Sequence, residues 1–269
     1  MVGKNSARWA RVGRQIHAER EKVGIPLKDL AEATGISAAM LSAMERGKRG
    51  IKRSHVVKID AALGTKKILE GVWDGSAESD LLPPWFQQAA QRERAATEIR
   101  QYSLTVVPGL VQTEDYMRTL LRSGLPNAPT AKLEELVQAR RTRQRLLEGE
   151  VPPRLLLILD ETVLRRPVGG RAIMRNQLDR LVEVADWPYV SVQVVPFATE
   201  HHPGLSNGFV LYRVDGGYLL WLETRRSGTG SQDAEAVDDY LRLFGDLQGA
   251  ALPAAASLKL IKEIRGEFE

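Results

Sequence analysis

Several stretches of this 269-residue chain carry residue types that do chemistry. Gly204-Leu205-Ser206-Asn207-Gly208 has the G-x-S-x-G spacing of a nucleophile elbow, where a sharp strand-to-helix turn projects a serine for acyl transfer. Its context is wrong for that: Ser206 follows a loop and precedes an expected strand, and no histidine lies downstream to complete the order serine, acid, histidine. A loop serine is the expectation. His201 and His202 are adjacent, so one helix face cannot present both to a metal, and the chain has no cysteine to join them. They read as loop histidines, with a ligand or pH-sensing role as the alternative. Asp160-Glu161 closes an expected strand, where α/β proteins place functional carboxylates, yet an aspartate there also caps the next helix, and the cap is expected. Arg225-Arg226-Ser227-Gly228-Thr229-Gly230-Ser231 joins a strand to a helix start and could hold an anion, opposed by Asp233 and Glu235. Arg140, Arg141, Arg143 and Arg145 form a positive helix face, read as solvated or at most as a partner or auxiliary DNA surface. No catalytic residue, cofactor or metal site is expected, and a catalytic C-terminal domain is the third and last alternative.

The densest chemical signal is basic. Arg46, Lys48, Arg49, Lys52 and Arg53 fall within eight positions, and clustered cations of this kind grip nucleic-acid phosphates. The elements before them are what would aim that grip. Trp9, Val12, Ile16 and Val23 recur at helical spacing, predicting a helix from about Arg8 to Lys22 that stops at Gly24. Pro26 opens a second helix with Leu30 and Ala31 inward, ended by Thr34-Gly35. Ser37 then caps a third, from Ala38 to Arg46, with Met40, Leu41 and Met44 buried and Gly47 ending it. A fourth runs from Ser54 to Leu63, with Val56, Val57, Ile59 and Leu63 on its apolar side. Two short helices across a tight turn need a small residue where they cross, Ala31, and a glycine for the turn, Gly35. The third helix would enter the major groove of double-stranded DNA with Ser37 capping it, Ala38, Ala39, Ser42 and Ala43 toward base edges, and Arg46, Lys48, Arg49, Lys52 and Arg53 on phosphates.

The segment Leu27 to Gly47, with its Ile36-Ser37 turn and its Glu45-Arg46-Gly47-Lys48-Arg49 exit, resembles the lambda-repressor-like, xenobiotic-response-element family of helix-turn-helix regulators. It departs from the family pattern in two places. Leu27 stands where the family usually puts a polar, phosphate-contacting residue. The outward face of the third helix offers three alanines and a serine in place of Arg, Asn or Gln, forgoing about 1–3 kcal/mol of base discrimination for each bidentate pair. Methyl contacts to thymine, DNA shape and phosphate grip would then carry recognition. The alternative is a protein-interaction module whose helix-turn-helix is vestigial.

Charge supports a division of the chain. Residues 1–75 hold 15 Lys and Arg against 8 Asp and Glu, a net +7, and the remainder holds 23 against 26, a net −3. The small, polar, proline-ended stretch Asp74 to Pro84 reads as a connection. The expected organisation is multi-domain: an all-α N-terminal domain over 1–75, a linker over 76–84, and a mixed α/β or α+β C-terminal domain over 85–269. Helices are expected at Trp85–Gln101, Thr113–Arg122, Ala131–Leu147, Arg171–Ala185 and Asp233–Leu247. Strands are expected at Leu155–Leu159, Val190–Val195, Phe209–Val214 and Tyr218–Glu223, the last two joined by a hairpin at Asp215-Gly216-Gly217. The absence of cysteine, of a signal-peptide core and of a long apolar run makes a cytoplasmic location without membrane contact the expectation.

Val107-Pro-Gly-Leu-Val-Gln-Thr-Glu-Asp-Tyr116, Leu159-Asp-Glu-Thr-Val-Leu-Arg-Arg-Pro-Val-Gly-Gly170 and Val190-Ser-Val-Gln-Val-Val-Pro-Phe197 resemble the large domain that follows this helix-turn-helix in WhiJ-like regulators of actinobacteria. The resemblance implies a regulator of development or antibiotic production, working with a small BldB-like partner protein. A homodimer is expected, since one such head reads only a few base pairs. An effector ligand, its identity not legible in the sequence, is the remaining partner of such a regulator.

Overall fold

The computed structural model describes residues 3–65, 68–73, 84–214, 216–224 and 227–269. The chain forms two compact units, Met1–Leu82 and Pro83–Glu269. The expected linker lies outside the described residues except for Pro84, which is the first residue of a helix.

The N-terminal unit is helical: α1 (Gly3–Val23), α2 (Leu27–Thr34), α3 (Ala38–Glu45), α4 (Arg53–Leu63) and a helical stretch, residues 68–73 (α5). Val12, Ile16, Leu30, Ile36, Leu41, Met44, Ile51, Val56, Ile59, Leu63 and Leu69 make one buried core. Val57 and Val23, placed on apolar faces by spacing alone, are exposed. The buried stripe of α4 follows 56, 59 and 63, and Val57 falls off it by one position. Two glycines let α1 settle on the end of α3. A Cβ on Gly13 would stand 2.1 Å from the Met44 carbonyl oxygen, and one on Gly47 (φ 66°) would stand 2.4 Å from the Ala10 Cα. These are backbone-to-backbone contacts that no larger residue permits.

The C-terminal unit is built on a six-stranded mixed sheet in the order β3-β2-β1-β4-β5-β6. Its strands are β1 (Glu98–Ser103), β2 (Arg154–Asp160), β3 (Val190–Val195), β4 (Phe209–Val214), β5 (Gly217–Glu223) and β6 (Gly228–Ser231). Strands β1, β2 and β3 run parallel; β4 pairs antiparallel with β1, β5 antiparallel with β4, and β6 antiparallel with β5. Every residue of β2 after Arg154 is buried, which is why it reads as an unbroken apolar run. Leu155, Leu157 and Leu159 face α10 (Arg171–Ala185) and α12 (Ala254–Gly266). Leu156 and Ile158 face the opposite layer, with Phe244 and Leu247 of α11 (Ala234–Ala250). On the first face α6 (Pro84–Ala95), α7 (Glu114–Gly124), α8 (Thr130–Gln144) and the short α9 (Glu161–Arg165) complete the helices. The chain around α12 seals the outer edge of β3: the Leu252 N–H donates to the Val194 carbonyl (2.8 Å), and the Val194 N–H donates to the Ser257 hydroxyl (3.0 Å).

Two expectations are corrected here. The helix expected over 85–101 ends at Ala95, and Glu98–Ser103 is the central strand β1. Pairing with β2 on one side and β4 on the other overrides the local helical pattern. Gly228–Ser231 is not a loop running into a helix but the edge strand β6, paired with Leu220–Glu223. The hairpin closes as expected with Val214 opposite Gly217 and Gly216 at φ 80°, while Asp215 lies outside the described residues. Among the described residues no helix is long and apolar enough to cross a membrane.

Candidate nucleic-acid interface

The turn between α2 and α3 is made from local chemistry. Gly35 adopts φ 67°, and its N–H donates to the Ala31 carbonyl at 2.9 Å. The Thr34 hydroxyl donates to the Leu30 carbonyl (2.7 Å) and accepts from the Ile36 N–H (3.3 Å). Ser37 caps α3, its hydroxyl accepting from the Met40 N–H at 3.3 Å. Such a cap satisfies one of the four free donors at a helix start and fixes where the helix begins. Along α3, Leu41 and Met44 are fully buried, Ala39 is exposed, and Ala38, Ser42 and Ala43 are half-buried. Met40, expected in the core, is also half-buried.

The structure sorts the five cations. The Arg46 guanidinium donates to the Ser42 hydroxyl one turn back. Arg53 pairs with Glu70 at 3.0 Å. Lys48, Arg49 and Lys52 are exposed, and among the described residues none of them has a carboxylate within ion-pair distance. Lys52 also stands at the cap position just before α4, where its N–H donates to His55 Nδ1 at 3.4 Å. Burial, together with the Lys52 and Lys58 ammonium groups, pushes the His55 imidazole below its ordinary value.

One group of residues was missed from sequence. Glu45, the last residue of α3, receives Arg20 Nε at 2.7 Å and a second guanidinium nitrogen at 3.2 Å, and lies 3.1 Å from His17 Nδ1. The Glu45 hydrogen bond is the main reason the Arg20 guanidinium is held more firmly protonated than usual. This pair clamps the end of α3 to α1. The visible signal was a glutamate one position past the buried Met44, with an arginine in the last turn of α1.

Residues 16–69 match the helix-turn-helix family, so the N-terminal unit carries a helix-turn-helix of the lambda-repressor-like kind. Residues 86–263, well over half of the chain, match the family described as a domain of unknown function, DUF5753. The chain belongs to the DUF5753 family. No curated protein and no solved structure shows a significant match.

Within the DUF5753 domain the motifs take structural positions. Gly204 and Gly208 pack on Tyr102: a Cβ on Gly204 would meet its ring at 2.6 Å, and one on Gly208 its carbonyl oxygen at 2.7 Å. The G-x-S-x-G spacing is therefore accounted for by close packing, with Ser206 exposed after a 3-10 turn. Asp160 caps α9, accepting from the Thr162 N–H at 2.8 Å. Glu161 ties α9 to the segment after β3, receiving Arg165 Nε at 2.5 Å and the Phe197 N–H at 2.7 Å. His201 is exposed, whereas the His202 side chain is buried, its Nδ1 accepting from the Gly204 N–H (3.3 Å) and its Nε2 standing 3.8 Å from Asp160. Arg225 and Arg226 lie outside the described residues. The expected arginine face of α8 is divided: Arg143 turns inward to pair bidentately with Glu93 at 3.0 and 2.7 Å, with both side chains under a tenth exposed. Arg140 turns inward as well, toward Gln112.

Proposed function

We propose that the protein is a DNA-binding transcriptional regulator in which α3 enters the major groove while Lys48, Arg49 and Lys52 hold phosphates. The observation that carries the reading is the loop after α3, where three exposed cations have no carboxylate partner among the described residues, while Arg46 and Arg53 on either side are engaged by Ser42 and Glu70. A phosphate is the natural counter-charge for such a set. The DUF5753 domain is read as a non-catalytic input module that pairs two copies and receives a signal or a partner. Its resemblance to WhiJ-like regulators supports a role in actinobacterial development or secondary metabolism with a small BldB-like protein. The smooth methyl surface of α3 favours a second reading, a protein-interaction module with a vestigial helix-turn-helix.

The two readings separate in a salt titration. Replacing Lys48, Arg49 and Lys52 together by Ala should weaken binding to any duplex and flatten the plot of log K against log salt by about 0.9 for each phosphate that the variant no longer neutralises. Arg53→Ala should have the smaller effect. An unchanged slope in the triple variant would overturn the proposed grip, and a wild-type chain that binds no duplex, alone or with its partner, would favour the interaction module.

A further inference from the structure

The face of the sheet that packs beneath α6, α7 and α8 is apolar along most of its rows: Ile99, Leu155, Leu157, Tyr212, Leu219 and Trp221 belong to the main core. At one end the pattern breaks. Gln101 and Ser103 continue the Ile99 face of β1, and Glu223 continues the Trp221 face of β5, so three polar side chains stand where alternation calls for core. They line a cavity of about 180 Å³ roofed by the Val106–Leu110 loop and by α8. A second cavity of about 440 Å³ shares Gln101, Ser103, Val106, Val210 and Glu223 with it and continues past Phe209 and Trp221.

Two arginines, Arg140 and Arg143, and two glutamates, Glu93 and Glu223, line the first cavity, but only one of the two pairs is in contact. Arg143 is matched by Glu93. Arg140 offers five N–H donors, yet among the described residues its one hydrogen-bond partner is Gln112 Oε1 at 3.2 Å, and no carboxylate lies within ion-pair distance. Burial, with Arg143 adding to it and the more distant Glu223 carboxylate only partly offsetting both, brings the Arg140 guanidinium down to about 10, so it remains a cation at neutral pH but a poorly solvated one. The Tyr212 hydroxyl lines the same space and has no hydrogen-bond partner among the described residues. Glu223 is solvent-exposed at the end of β5, at the junction of the two cavities, and partial desolvation there pushes its carboxyl up against the opposing pull of Arg143 and Arg140.

We propose that this cavity binds a small organic monocarboxylate, its head held by Arg140 and the Tyr212 hydroxyl and its apolar body lying along Val210 and Trp221 in the adjoining space. A planar carboxylate matches the guanidinium fork. One uncommitted cation, with Glu93 and Glu223 close by, suits a single negative charge and disfavours a phosphate dianion. The proposal rests on the DUF5753 domain being an input module and supplies the chemistry of that input.

The test uses the full-length chain without DNA, so its outcome is independent of whether the helix-turn-helix binds. Benzoate and hexanoate are titrated by calorimetry and by thermal melting, with benzamide, hexanamide and inorganic phosphate as controls. At least one carboxylate should bind and raise the melting temperature with concentration, while its amide and phosphate do not. Arg140→Gln should weaken binding roughly 10- to 100-fold, as loss of a charged hydrogen-bond partner does. Tyr212→Phe, which keeps the ring in place, should weaken it less and serves if Arg140→Gln does not fold. Binding by neither carboxylate, equal binding of acid and amide, or unchanged affinity in the variants would each overturn the proposal.

Discussion

Glu45→Ala should loosen the whole N-terminal unit, and the size of the effect follows from the pair it breaks. The Arg20 and Glu45 side chains are 11% and 9% exposed, and they share hydrogen bonds of 2.7 and 3.2 Å. Removing one partner of a buried pair usually costs about 3–5 kcal/mol, most of it from stranding the other charge. Arg20 keeps the Ile25 carbonyl at 3.0 Å and the well-exposed Glu21 at 2.8 Å, with His17 Nδ1 3.1 Å away, so the expected cost is lower, about 2–3 kcal/mol. A unit of this size is stable by roughly 4–12 kcal/mol, so the loss is large but leaves it folded. Hydrogen exchange on the full-length chain reads it locally. The slowest amides of α1 and α3 should exchange roughly 30- to 150-fold faster, with those of β2 unchanged. Adding Arg20→Met to the variant should restore much of the protection, because no charge is then stranded. A change of less than about threefold, or a double variant worse than the single by a fully additive amount, would refute this account of the clamp.

Two further outcomes are expected. His55 titrates below its ordinary value of 6.5 in the fold, so as pH falls through that value the unfolded chain takes up the proton first and stability drops, with nothing lost above it. The shift in urea midpoint between pH 7.5 and 5.5 should shrink in His55→Asn, and an identical shift would sink the idea. Ala39, exposed on α3, should accept arginine without loss of folding, and Ala39→Arg should create a guanine preference of about 1–3 kcal/mol where the wild type selects shallowly from a random library. A steep guanine-rich consensus for the wild type would show that another face of α3 meets the bases.

What could be read from sequence was local chemistry. Gly35, the Ser37 cap and the Leu41–Met44 spacing each act over one turn, and the short strands Val190–Val195 and Phe209–Val214 announce themselves by β-branched and aromatic runs between breakers. What could not be read depends on partners far along the chain. Residues 98–103 become a strand because β2 and β4 offer them edges more than 50 residues away. Glu45 finds Arg20 across 25 positions. The inward arginines were closer to legible: Leu133, Leu136 and Val137 define the buried stripe of α8, and Arg140 and Arg143 continue it at helical spacing. Counting them with Arg141 and Arg145 as one solvated face hid the two that the fold buries.

The sealing of β3 bears on how this protein can and cannot associate. An open strand edge is a template on which another chain can crystallise, in register, without any evolved side-chain code. Here that seam is closed by the protein's own C-terminal segment, through Leu252 and Ser257, and the opposite border is a four-residue strand with two glycines, too short and too featureless to recruit a stranger. Ribbon-to-ribbon growth is thus discouraged at both margins of the sheet. Assembly is left to side chains on helices and loops, where selection can tune it, and the segment that leads into α12 is the stopper that keeps it so.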